Sequence, residues 1–102
     1  MDFKDLAARL GVEEEDFREL AELFVQTCRT DLEKIRQGMS SGIPADAAAA
    51  AHSIKGAAGN LGFEDMAELA QKMEFQAKAG SLDHFETYTS DLEKMINGLG
   101  LD

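Results

Sequence analysis

Glycines divide this chain into segments whose apolar residues recur every three or four positions, and this pattern constrains the fold more than any other feature. Ala, Glu, Leu, Lys and Met predominate between the glycine-marked breaks, whereas strand-forming residues are sparse and only one proline occurs. These residues favour helices, and apolar side chains at that spacing form one buried stripe on each helix. The sequence therefore predicts an all-α protein.

The glycines and the apolar stripes predict a short lead-in helix and four longer helices. Gly11 ends the lead-in helix, the acidic run at 13–16 begins the second helix, and that helix stops near Gly38, with residues 39–42 as a loop. Because the connecting loops are short, neighbouring helices are expected to be antiparallel, so we predict an up-and-down four-helix bundle forming one domain over residues 1–102. The predicted helices occupy residues 3–10, 13–38, 44–61, 64–79 and 82–97.

Most aromatic and methionine residues fall on the predicted core faces and do not suggest a cofactor site. The apolar stripes also include Leu10 in the lead-in helix and Leu20 in the second helix. Phe75 is different, because it lies about 200° from Met73 around its helix and is expected at the surface, where it contributes to partner docking or is incidental. The predicted core set is Phe17, Phe24, Met66, Met73, Phe85 and Met95.

The composition is acidic, with twenty Asp and Glu against ten Lys and Arg and a formal net charge of −10. This charge repels phosphate backbones and anionic lipid surfaces, so binding to nucleic acid or membrane is disfavoured. Cys28 cannot form an internal disulfide, and the sequence shows neither a leader nor an apolar run long enough to span a membrane. These features favour the cytoplasm. Without a sustained heptad seam, the chain is expected to be a monomer.

His52 is predicted to lie on the outward face of the third helix. At about 100° per residue, Ile54 and Leu61 lie on the opposite side of the helix from His52, so the apolar stripe faces away from the histidine. The residues within about 60° of His52 have almost no side chain, with the exception of one lysine. They are Ala45, Ala48, Ala49, Lys55, Gly56 and Gly59.

The two glycines near His52 are unfavourable in a helix interior, where each costs about 1 kcal/mol relative to alanine. We interpret Gly56 and Gly59 as a surface cleared of side-chain bulk, so that another protein can approach the imidazole closely. Lys55 places an ammonium group on the same face, where it can offset the charge of a phosphoryl group on the ring. The unperturbed pKa of histidine, about 6.5, leaves a large neutral and nucleophilic fraction of the ring at cytoplasmic pH. His84 lacks such a setting and is expected to be a surface residue.

The segment at residues 52–62 reads HSIKGAAGNLG. It resembles the signature of histidine-containing phosphotransfer (HPt) domains, in which the histidine is followed by an aliphatic residue, Lys-Gly, small residues and an aliphatic-Gly pair. The resemblance extends to nearly the whole chain through the long Phe-rich helix, the His helix, a helix with Met73 and Glu74, and a closing amphipathic helix. Residues 51–63 are also similar to the phosphotransfer domain of chemotaxis histidine kinases.

The resemblance implies an antiparallel four-helix bundle whose exposed histidine accepts a phosphoryl group from one protein and passes it to an aspartate of another. By this resemblance His52 is the phospho-acceptor, through Nε2, and Lys55 stabilises the phosphate. Glu74 matches the place of a Glu or Gln that binds the other ring nitrogen, although it also reads as a solvated helix residue, and Gln71 is another candidate for that neighbourhood. The docking face would consist of Ala48, Ala49, Gly56 and Gly59.

The sequence contains neither a P-loop nor the clustered carboxylates that hold Mg²⁺ for phosphoryl transfer. The chain is therefore expected to be a phosphoryl carrier without autonomous kinase activity, and to hold no metal or cofactor. The expected partners are an upstream (hybrid) histidine kinase and a response-regulator receiver domain, which would supply both the aspartate and Mg²⁺. With neutral small residues around His52, the docking face is expected to be nearly neutral on an otherwise acidic protein.

Two further functions remain open at this point. The first is a non-catalytic module that binds and sequesters a receiver through the same face. The second is a metal- or haem-binding bundle, which is disfavoured because the chain has two histidines, lacks a Glu-x-x-His pair and directs His52 outward. The sequence also leaves open whether the chain is free-standing or the phosphotransfer part of a larger histidine kinase.

Overall fold

The computed structural model of the protein describes residues 2–101, and this range contains helices but no strand. The prediction of an all-α fold is thereby confirmed. No helix in residues 2–101 combines the length and the apolar character needed to cross a membrane. The helices are α1 (Phe3–Leu10), α2 (Glu14–Ser41), α3 (Pro44–Leu61), α4 (Glu64–Lys78) and α5 (Phe85–Asn97).

The second helix is longer than the sequence predicts. It continues to Ser41, so the prediction that it stops near Gly38 and is followed by a loop at 39–42 was wrong. The residue that ends α2 is Gly42, which has a φ of 67° and whose amide binds the carbonyl groups of the last helical turn. Because a left-handed residue is needed to end the helix in this way, Gly42 and not Gly38 sets the boundary.

Gly38 has a packing role inside α2. A Cβ atom at this position would lie 3.0 Å from the backbone nitrogen of Ala47 and 3.2 Å from the carbonyl oxygen of Ile43. Only a residue without a side chain leaves room for such a close approach of backbones. Gly38 therefore allows α3 to begin tightly against the end of α2.

The fifth helix begins at Phe85, three residues later than predicted. His84 precedes it with a φ of 64°, and a residue in the left-handed conformation cannot belong to a right-handed helix. Helix α4 ends at Lys78, one residue before its predicted end. The structure thus places a longer connection between these two helices than the sequence predicts.

Helix α3, which carries His52, packs between α2 and α4, while α5 also packs against α2 and α4, and α1 covers part of α2. The apolar stripes of the helices meet in one core, and the rings of Phe3, Phe17, Phe63 and Phe24 are in successive contact through it. This arrangement fixes one side of α3 in the core and leaves its opposite side at the surface. The largest fully buried side chains are Phe17, Phe63, Phe85, Leu32, Ile35, Ile54, Met66, Met73, Leu92, Ile96 and Cys28.

Two leucines predicted to face the core are exposed instead. Leu20 lies about 60° from Phe17 around α2, at the edge of the stripe and not at its centre. Leu10 is the last residue of α1, beyond the buried part of that helix. Phe75 is 78% exposed, in agreement with the expectation that it lies at the surface.

Candidate functional site

His52 lies on the outward face of α3, as its helical phase predicts. Its side chain is 65% exposed, whereas Ala51 and Ile54 of the same helix are buried in the core. Packing of these neighbours against α2 and α4 fixes the rotation of α3 about its own axis. The imidazole is therefore held at the surface by a helix whose other side is buried.

Glu74 of α4 holds one nitrogen of the imidazole. His52 Nδ1 lies 2.8 Å from Glu74 Oε2, and the Glu74 side chain is only 5% exposed. An ionised carboxylate can only accept a hydrogen bond, so the proton of the neutral ring resides on Nδ1. Nε2 then carries the lone pair and faces away from the carboxylate. Glu74 is thus a hydrogen-bonding partner of His52 and not a solvated helix residue.

Two lysines keep the buried carboxylate of Glu74 ionised. Lys55 Nζ lies 2.7 Å from Oε1, and Lys78 Nζ lies 3.1 Å from Oε2. The hydrogen bond from Lys55 is the largest cause that lowers the pKa of Glu74 to about 2, and the bonds from Lys78 and His52 act in the same direction against the effect of burial. The carboxylate is therefore negatively charged throughout the physiological pH range.

Lys78 is a site residue that reasoning from the sequence missed. It stands four positions after Glu74 on α4, and side chains at this spacing lie next to each other on a helix surface. That spacing was visible in the sequence, but such pairs are common on solvated helices. Lys78 comes near His52 only because both side chains bind Glu74, and Glu74 reaches His52 only because α4 packs against α3. The sequence does not show this packing.

A groove of about 710 Å³ opens beside His52 between α3 and α4. Ala49 is exposed along it, as predicted for the docking face, whereas Ala48 was predicted to point outward and is buried. Ala48 is about 40° from His52 on the side of α3 that faces α4, so the neighbouring helix covers it. The groove is lined by Pro44, Ala45, Ala48, Ala49, His52, Glu74, Ala77, Lys78 and Gly80.

Gly56 and Gly59 are exposed on the face of α3 that carries His52. A Cβ atom at either position would meet no other atom within 4 Å among the described residues, apart from the immediate helical neighbourhood. Neither glycine has a positive φ among the backbone angles of residues 2–101. The fold of these residues therefore does not require glycine at 56 or 59, and their role in docking stays a prediction.

A second polar contact holds α3 on the side opposite to α4. The Ser53 hydroxyl donates a hydrogen bond of 2.7 Å to Oδ2 of Asp31, a buried carboxylate of α2. This pair was not predicted from the sequence, because nothing in the spacing of Asp31 marks it as buried. Burial, with a smaller contribution from Asp31, raises the pKa of the neighbouring Cys28 thiol to about 12, so this thiol stays neutral.

The other polar candidates lie apart from this cluster. Gln71 is exposed and shares a shallow groove with Phe75 on the outer side of α4, and the ring nitrogen of His52 is bound by Glu74. His84 is exposed at the start of α5, where its ring lies near Tyr88. Within residues 2–101, His, Cys, Asp and Glu side chains form no group of three or more that could hold a metal ion.

Comparisons with known proteins agree with the geometry of this site. Searches of the curated proteins and of the solved structures give no match to this chain. A family model described as the Hpt domain matches residues 19–100, a range that contains α3 with His52 and α4 with Glu74. Because this match covers most of the 102 residues, the chain belongs to the Hpt domain family, whose members act in histidine phosphotransfer in two-component signalling.

Proposed function

We propose that this protein accepts a phosphoryl group on Nε2 of His52 and exchanges it with an aspartate of a response-regulator receiver domain. The observation that carries the proposal is the hydrogen bond between Nδ1 of the exposed His52 and the buried, ionised Glu74. This bond directs the lone pair to Nε2, the outward nitrogen, where a protein partner can reach it. Membership of the Hpt family supplies the reaction class.

The chemistry follows from the charge of the cluster. Nε2 attacks the phosphorus of an aspartyl phosphate, the bond between phosphorus and the aspartyl oxygen breaks, and the carboxylate leaves with the electron pair. The ring becomes an imidazolium that keeps its proton on Nδ1. Glu74 stabilises that positive charge through a charge-assisted hydrogen bond, and the reverse reaction returns the phosphoryl group to aspartate.

The remaining steps of the reaction belong to partner proteins. A hybrid histidine kinase is the proposed upstream donor, since Hpt domains carry phosphoryl groups and do not generate them. Mg²⁺ is expected from the receiver domain, together with its aspartate. The docking face is proposed to comprise Ala49, Gly56 and Gly59 with the groove below His52. We also propose that the chain is a single domain in which α2 to α5 form an antiparallel up-and-down bundle.

Phosphorylation of His52 is tested with a phosphorylated receiver domain as donor. Wild type is expected to gain an acid-labile phosphoryl group, and His52→Gln, which keeps a polar side chain of similar size, is expected to gain none. His84→Gln serves as the matched control, since it removes the other histidine and should be labelled like wild type. Acid-stable label, or label on the His52→Gln protein, would overturn the proposal.

The same experiment separates phosphotransfer from sequestration of a receiver. The apolar groove and the two exposed glycines are compatible with a surface that binds a receiver without exchanging phosphate. In that case both wild type and His52→Gln would bind the receiver, and neither would become labelled. A binding measurement by calorimetry beside the labelling assay distinguishes the two functions.

A further inference from the structure

The two lysines bound to Glu74 differ in how firmly they are held. Lys55 donates to Oε1 at 2.7 Å and its side chain is 32% exposed, whereas Lys78 donates to Oε2 at 3.1 Å and its side chain is 67% exposed. A pair formed by an exposed lysine one turn away on the same helix contributes little to stability, so its ammonium group is easily released. Lys78 is therefore the cation that can move.

The two lysines also differ in their position relative to the imidazole. Lys78 and Nδ1 of His52 share the same oxygen, Oε2, whereas Lys55 binds the other oxygen of the carboxylate. Lys78 lines the groove together with His52, and Lys55 is not among the residues that line it. Of the two lysines, Lys78 is therefore the one that shares the groove beside His52.

Phosphorylation changes the charges in a way that favours release of Lys78. The neutral ring of His52 becomes an imidazolium, which gives Glu74 a second positive partner besides Lys55. The imidazolium and Lys55 then compensate the charge of Glu74 without Lys78. The new phosphoryl group brings up to two negative charges to the groove, and these attract the ammonium group of Lys78. Release of Lys55 would instead remove the closest cation from a buried carboxylate, which is costly.

We propose, as an extension of the phosphotransfer function above, that Lys78 is the residue that stabilises the phosphoryl group on His52 and that Lys55 is a positioning residue for Glu74. The resemblance noted from the sequence assigned phosphate stabilisation to Lys55. In the unphosphorylated protein the ammonium group of Lys78 forms an ion pair with Glu74 Oε2. In the phosphorylated protein its ammonium binds a phosphoryl oxygen, and Lys55 continues to hold Glu74 through Oε1.

The proposal is tested on the intact chain with phosphoramidate, a small-molecule donor that needs no partner protein. Nε2 of His52 forms the new bond to phosphorus, the bond to the donor nitrogen breaks, and ammonia leaves. The acid dissociation of the phosphoryl group is then followed by ³¹P NMR over a pH series from about 4 to 8.5, a range that includes the second pKa of about 6 of oxygen-linked protein phosphoryl groups. A nearby cation favours the dianion and lowers this pKa.

Lys78→Gln removes the cation that favours the dianion and is therefore expected to lower the acid dissociation constant of the phosphoryl group. The expected decrease is about two- to fivefold, which corresponds to the strength of an exposed ion pair. Lys55→Gln and the control Lys94→Gln are expected to leave that constant within about a factor of 1.5 of wild type, a smaller change than most exposed pairs produce. Lys94 is exposed on α5, a helix that contributes no side chain to the cluster of His52, Glu74 and the two lysines. Lys94→Gln therefore removes an equal charge outside this cluster. A change with Lys55→Gln as large as that with Lys78→Gln, or no change with Lys78→Gln, overturns the proposal.

A second measurement tests the positioning role of Lys55 before phosphorylation. The ¹⁵N spectrum of the neutral His52 ring reports which nitrogen carries the proton. Lys55→Gln is expected to increase the fraction with the proton on Nε2, because Glu74 is then held less firmly, whereas Lys78→Gln should retain the proton on Nδ1. The opposite pattern would reverse the two assignments and overturn the proposal.

Failure of this proposal is distinguishable from failure of phosphotransfer itself. If His52 of wild type accepts no phosphoryl group from either phosphoramidate or a phosphorylated receiver, the proposed function is wrong and so is the role of Lys78. If wild type is phosphorylated and Lys78→Gln behaves like wild type in the ³¹P titration, only the role of Lys78 is wrong.

Discussion

At the scale of single residues, Glu74 connects the fold of the protein to the position of the proton on the His52 ring. Its carboxylate is buried between α3 and α4 and accepts hydrogen bonds from one imidazole and two ammonium groups. A buried carboxylate without such partners would become protonated and could then act as a donor to the ring. The lysines therefore preserve the charge that assigns the ring proton to Nδ1.

The lowered pKa of Glu74 predicts a specific loss of stability in acid. Its folded-state pKa lies near 2, below the ordinary value of 4.5, so the ionised group stabilises the folded protein above about pH 4.5, and this contribution disappears as the pH falls towards 2. Urea unfolding at a series of pH values measures the free energy of unfolding of wild type and of Glu74→Gln. The difference between these two free energies should become smaller as the pH falls through this window. Glu68→Gln, which removes an exposed carboxylate from the same helix, is the control for the loss of one negative charge.

The Asp31 and Ser53 pair is expected to stabilise the packing of α3 on α2. Ser53→Ala removes the hydroxyl bound to a buried carboxylate and should lower the free energy of unfolding by about 1–3 kcal/mol. Ser90→Ala, at an exposed position of α5, controls for the helix propensity of alanine. In a double-mutant cycle with Asp31→Ala, the two residues should show a coupling energy of about 1 kcal/mol, and additive effects would contradict the contact.

At the scale of helices, the sequence predicts the order and centres of the elements better than their ends. Both ends of α3, the helix that carries His52, were predicted correctly. Pro44 and Gly62 mark these ends through their own backbone conformations, which can be recognised in the sequence. The end of α2 was predicted wrongly because Gly38 is needed for close packing against Ala47, a contact between helices. A sequence does not distinguish a glycine that ends a helix from one that allows two helices to meet.

The glycines of α2 and α3 should therefore respond in opposite ways to the same substitution. Gly56→Ala adds a methyl group to an open surface and should raise the free energy of unfolding by about 0.5–1 kcal/mol, since alanine favours the helix. Gly38→Ala places a Cβ atom against backbone atoms of α3 and should lower it by about 1–3 kcal/mol. Urea unfolding of the two variants measures both values.

Phosphotransfer by the Gly56→Ala variant then tests whether Gly56 keeps the surface near His52 open for a protein partner. If Gly56 clears the surface for a partner, the variant should accept phosphate from phosphoramidate as wild type does, yet exchange it more slowly with a receiver domain. Equal rates with the receiver would contradict the docking role of Gly56. Loss of labelling by phosphoramidate would show instead that the added methyl group disturbs His52 itself.

At the scale of the whole molecule, the charge is distributed unevenly around the site. The chain carries a net charge of −10, yet the charged side chains that line the groove beside His52, apart from the histidine, are Glu74 and Lys78. The sequence predicted a nearly neutral docking face from the Ala and Gly residues around His52, and this docking face stays a prediction. The cluster of Glu74 with two lysines was beyond such a prediction, because it depends on the distance between α3 and α4, which the composition of either helix does not determine.

The acidic excess is concentrated in part at the beginning of α2, where it should weaken the folded state at low ionic strength. Glu15, Glu19 and Glu22 are exposed and spaced so that Glu19 lies beside both other carboxylates. Glu19→Lys replaces two repulsions by two attractions and should raise the free energy of unfolding by about 0.5–1 kcal/mol at low salt. Glu19→Gln should give about half of this gain. Both gains should become small near 1 M NaCl, where the screening length is about 3 Å. A gain that is independent of salt in urea unfolding would show that these charges do not act through repulsion.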